Sequence, residues 1–214
     1  MEIYRKIQTE CNLKKREEIA NFLAINSQKN FLTNLNYSEN LSDYDEYNLN
    51  EINIKGYAKP KNHEDFSLNK KSESIINYFK NVTGYDSHVP IYAKKKVKFS
   101  EDGNTTSNGY ISFDTETVLN CPQIKDTLLK IAKNKSIAGY LRCKPKLYSC
   151  NTFWTFKKDE KLLTHSWHRD LDDFKFLSVF IFWTKTDEDY GYIKFIEGSH
   201  NHSKHDKLLN SFKE

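Results

Sequence analysis

A chain of 214 residues falls short of the roughly 250 to 300 residues beyond which one core splits into several, so one core is expected. With 33 Lys and Arg against 29 Asp and Glu, both signs scattered, it lacks the basic stripe that nucleic-acid binding needs. No apolar run approaches the roughly 20 residues that cross a bilayer, and no apolar stretch follows Met1 as in a secretory leader. The one short basic run, Lys94, Lys95, Lys96 and Lys98, is followed at once by Glu101 and Asp102. Hydrophobic content is 37%, but 14 Phe and 13 Tyr give a small core large side chains to bury. Cys11, Cys121, Cys143 and Cys150 lie far apart and form no C-x-x-C pair, which reads as reduced thiols of a cytoplasmic protein.

In chain order, Leu13 to Ile25 carries Leu13, Ile19, Phe22, Leu23 and Ile25 among charged residues at helical spacing, which predicts an amphipathic helix. From Asn26 to Lys71, Asn, Ser, Asp and Lys dominate without a clear apolar period, and loops around short elements are expected. Residues 1–84 thus read as a polar, helix- and loop-containing N-terminal extension. Ser72 is placed to cap a helix holding Ile75, Ile76 and Phe79 that ends near Gly84. Gly103 to Gly109 reads as a polar turn. Pro122 is suited to opening a helix with Ile124, Leu128, Leu129 and Ile131, and Ser136 to capping another with Ile137 and Leu141.

After Pro145 the character changes to aromatic and β-branched runs. They are Leu147 to Phe156, Leu162 to Trp167, Phe174 to Trp183 and Tyr192 to Ile196. The third, with Phe176, Leu177, Val179, Phe180, Ile181, Phe182 and Trp183 almost unbroken, predicts a strand covered on both faces. Helices followed by successive strands predict an α+β chain with an antiparallel sheet or barrel.

One motif carries chemistry. His168, Arg169 and Asp170 end a predicted strand and lead into Asp172 and Asp173. Residues two apart on a strand share a face, so His168 and Asp170 point together while Arg169 points away. An imidazole and a carboxylate so placed are two corners of a 2-His-1-carboxylate iron(II) site, and they also suit a plain hydrogen-bonded surface pair. His-Arg-Asp-Leu spells the start of a protein-kinase catalytic loop as well. That reading fails, because Lys175 stands where Asn is required, no Gly-rich phosphate loop precedes, and Asp173-Phe174-Lys175 lacks the glycine of the magnesium motif.

Taken in order, Tyr140 to Pro145, Thr164 to Asp173, Phe176 to Phe182, the acidic turn Asp187 to Asp189 and Glu197-Gly198-Ser199-His200 resemble the phytanoyl-CoA dioxygenase family. The likeness is strong over roughly the last third of the chain, with a fainter echo back to about Tyr85. It implies a double-stranded β-helix, or jelly-roll, core over 85–214. It further implies an Fe(II)- and 2-oxoglutarate-dependent dioxygenase that hydroxylates a small organic substrate, with His168 and Asp170 as the first two metal ligands. An Asp in the second place implies hydroxylation rather than halogenation. In the family the G-S-H turn closes an early strand and the distal histidine comes tens of residues later, so His200 is not assigned as a ligand. His202 and His205 read as part of a polar terminal stretch.

The family's clamp for the far carboxylate of 2-oxoglutarate is a basic residue after the distal histidine. Here the last arginine is Arg169, and Lys204 and Lys207 follow no recognisable distal strand. The expectation is therefore an incomplete jelly-roll without distal strands, distal His or clamp, a fragment or shortened relative inactive by itself. Two further readings stand beside it: a non-catalytic jelly-roll binding module, and a cupin-like metalloprotein that recruits His165 or His200. Arg142, Tyr148, Asn151, Trp154 and Trp167 are candidate pocket residues, each better suited to a structural place in the sheet. A small-molecule substrate is expected, with neither nucleic acid nor membrane as partner; its identity and the oligomeric state are not legible.

Overall fold

The computed structural model describes residues 14–22, 41–59, 72–87, 95–107, 109–157, 167–168, 170, 175–188 and 191–201. Within them the chain is mixed α+β, with helices around a small antiparallel sheet. Residues 14–22 are helical (α1); Leu13 and 23–25 of the predicted helix lie outside the described residues. Its amphipathic reading is turned around in part, because Arg16 is buried while Phe22 is 66% exposed.

Helix α2, Asp43–Lys55, falls in the stretch expected to be irregular. Its apolar residues are sparse, and its end signals define it instead. The Ser42 side chain accepts from the backbone N–H of Asp45, acidic residues fill the first turn and Lys55 the last, and Gly56 ends it at φ 86°. Helix α3, Ser72–Asn81, buries Ile75 and Phe79 four residues apart on one face, as expected.

Four strands follow: β1 Gly84–Tyr85, β2 Lys96–Val97, β3 Tyr110–Phe113 and β4 Thr152–Thr155, in the spatial order β2-β1-β3-β4, all antiparallel. β3 is buried at all four positions, as a central strand covered on both faces must be. Gly84 lies so close to β3 that a β-carbon would come within 2.5 Å of Ile111 and 2.9 Å of the Ser112 carbonyl. Three of the four strands lie in the middle of the chain, which reads as mostly helical by pattern. Two-residue strands hold no period, and Tyr-Ile-Ser-Phe is too short a run to announce itself.

Between β3 and β4 come α4, Thr115–Leu119, α5, Pro122–Ala132, and α6, Lys135–Leu141. Pro122 opens α5 as expected. Ser136 does not cap α6; Asn134 does, accepting from the Ile137 N–H. Ser136 is buried and donates its hydroxyl to the Asp45 carbonyl at 3.0 Å, tying α6 to α2. At the same contact Gly139 faces Leu49, where a β-carbon would approach to 3.1 Å.

One apolar core joins Ile75 and Phe79 of α3, Val97 of β2, Ile111 and Phe113 of β3, Val118 of α4, and Cys121 and Ile124 of the α5 region. Phe79 and Phe113 rings meet at 4.7 Å between centroids. The core therefore draws on residues either side of the expected boundary at 84/85.

The aromatic runs after Pro145 behave unequally. Thr152–Thr155 pairs with β3 in the register Tyr110 to Thr155 through Phe113 to Thr152. Residues 162–166 and Phe174 lie outside the described residues. Residues 176–183 and 192–196 are not in paired strands, contrary to expectation, and Phe180 is 52% and Phe195 53% exposed. A continuous apolar run becomes a covered strand only where neighbours pair with its backbone and pack on both faces. Among the described residues only Trp183 of the first run packs against the core. No described helix is long and apolar enough to cross a membrane.

Candidate metal centre

His168 and Asp170 lie in an irregular segment, between Trp167 and residues 175–188. Arg169, His165 and the aspartates at 172 and 173 lie outside the described residues, so the predicted strand phase is visible only through the two ligand candidates themselves. Those two come together: His168 Nε2 is 3.5 Å from Asp170 Oδ1, with the side chains 52% and 49% exposed.

That distance lies just outside both uses of the pair. It is longer than the 2.7 to 3.2 Å or so of an N–H···O hydrogen bond. Two donors at about 2.1 Å from one ion, at a right angle, sit about 3.0 Å apart. A closure of about 0.5 Å, which rotation of two exposed side chains can supply, would let both donors reach one ion, and a closure of about 0.3 Å would make a hydrogen bond. Half-exposure leaves both side chains in contact with solvent. Among the described residues no third His, Cys, Asp or Glu joins them.

His200 is placed elsewhere by its contacts. Residues 197–200 form a turn, with Gly198 at φ 75°, docked on the C-terminal end of α2. The Gly198 N–H donates to the Lys55 carbonyl at 2.7 Å, and His200 Nε2 lies 3.2 Å from the Asn53 carbonyl. Beside them the Tyr57 hydroxyl donates to Glu197 at 2.8 Å, and Tyr57 stacks on Phe195 at 5.2 Å. The His200 ring thus serves the helix terminus, where orphan carbonyls favour a donor. His202, His205, Lys204 and Lys207 lie outside the described residues.

The candidate pocket residues do not converge. Trp154 is packed against the core and meets Phe99 at 4.9 Å, a structural place. Tyr148 is 78% exposed and Trp167 66%, and Asn151 is exposed on the approach to β4. Arg142 follows α6 in the left-handed region at φ 57°. Near it stands a residue that pattern reasoning passed over: the Lys175 ammonium lies 4.5 Å from the centre of the Tyr140 ring. Nothing local marks Lys175 among 33 Lys and Arg; only the fold brings it against α6.

The chain matches no protein-family model, and no curated protein or solved structure matches it. The functional reading rests on the motif order and on the geometry of His168 and Asp170.

Proposed function

We propose that the chain carries part of the metal site of an Fe(II)- and 2-oxoglutarate-dependent dioxygenase of the jelly-roll class, which hydroxylates a small organic molecule, with His168 and Asp170 as two of its metal ligands and without the distal His and the 2-oxoglutarate clamp. The observation that carries the reading is the 3.5 Å approach of His168 Nε2 to Asp170 Oδ1 on exposed side chains. An imidazole and a carboxyl group two residues apart match the donor set of a non-haem iron(II) site in chemistry and in spacing. Bound there, iron would supply the activation of oxygen. The chain's part is to present one nitrogen and one oxygen donor on the same side, and to leave the other positions open for co-substrate.

The test is a metal titration followed by turnover. Manganese(II), a redox-silent substitute for iron(II), is expected to bind one per chain. His168→Ala and Asp170→Ala each weaken it by about tenfold or more, and Arg169→Ala leaves it unchanged. Equal losses in all three variants would mean that the side chains do not share a face, and an unmodified chain that ignores metal would sink the proposal. Succinate release from 2-oxoglutarate with iron(II) and oxygen, abolished in Asp170→Ala, would show that the remaining ligand comes from within the chain. A binding module, the rival reading, neither takes up metal nor releases succinate.

A further inference from the structure

No further inference is drawn: the strongest candidate, the exposed apolar surface patch of Val179, Phe180 and Phe182 with Phe195 and Ile196, carries nothing, because nothing in the structure shows what covers it.

Discussion

Asp114 shows how one side chain joins two elements. Its carboxylate caps α4, accepting from the Thr117 N–H at 2.8 Å, and accepts again from the Tyr85 hydroxyl of β1 at 3.1 Å. Thr117 first, through its backbone N–H, and then Tyr85 hold the carboxyl below the usual carboxylate range. Asp114→Ala should cost about 1 kcal/mol in urea unfolding at neutral pH, and Asp114→Asn less, since the amide oxygen still caps. Because the folded pKa is depressed, the added stability is fully present above the unfolded value of about 3.9 and is lost as pH falls through the folded value. The gap in Tm between wild type and Asp114→Ala should narrow there; a constant gap would mean that the charge is irrelevant. Lys175 works in the opposite sense. Its folded pKa is lowered by burial, so the unfolded chain binds the extra proton, and stability rises with pH through the folded value up to about 10.4. Lys175→Gln should raise Tm at neutral pH, and the gain should vanish in the alkaline range.

At the scale of the element, α2 is set by its ends, and its C-terminal end also receives the 195–200 segment. Gly56 is required twice: its φ is +86°, and a β-carbon there would lie 2.6 Å from His200 Nδ1. Gly56→Ala should therefore cost about 2 kcal/mol, part from the left-handed backbone and part from the collision. Adding His200→Ala should recover the second part only. Additive losses in a double-mutant cycle, read by urea unfolding, would show that the His200 ring does not rest on Gly56 in solution. The same cycle reports whether the G-S-H turn is a fixture of α2.

For the whole molecule, helices α3 to α5 and the sheet share one apolar core, so damage at its centre should be felt everywhere. Phe79→Ala removes a ring that is 1% exposed and should cost about 3 to 5 kcal/mol, with helix and sheet signals lost in one transition. Separate transitions would show that the core is divided. Outside it, Val179, Phe180, Phe182, Phe195 and Ile196 present apolar surface, which promotes association. Phe180→Ser with Phe182→Ser should reduce light scattering on concentration and leave Tm within about 1 °C, as for substitutions away from a core. A large fall in Tm would place those rings inside a packed sheet and would favour the fuller jelly-roll.

What the sequence by itself determined is whatever local chemistry decides. The α+β class, the apolar face of α3, the proline start of α5 and the strand at 152–155 follow from period or cap residues that act within a few positions, while the turn at 197–200 is expected from the resemblance. The pairing of His168 with Asp170 belongs here too, because two residues separated by one can meet without help from distant parts of the chain. Helix α2 falls in the stretch expected to be loops, because caps at Ser42 and Gly56 and not an apolar stripe define it. Only the tertiary structure decided that two-residue segments at 84–85 and 96–97 become strands, because their hydrogen bonds run to residues far off in sequence. It decided likewise that 176–183, apolar enough for a buried strand, stays unpaired among the described residues. The same holds for Lys175, brought to Tyr140 from 35 positions away: long-range contact energy, which no local pattern encodes, chose its partner.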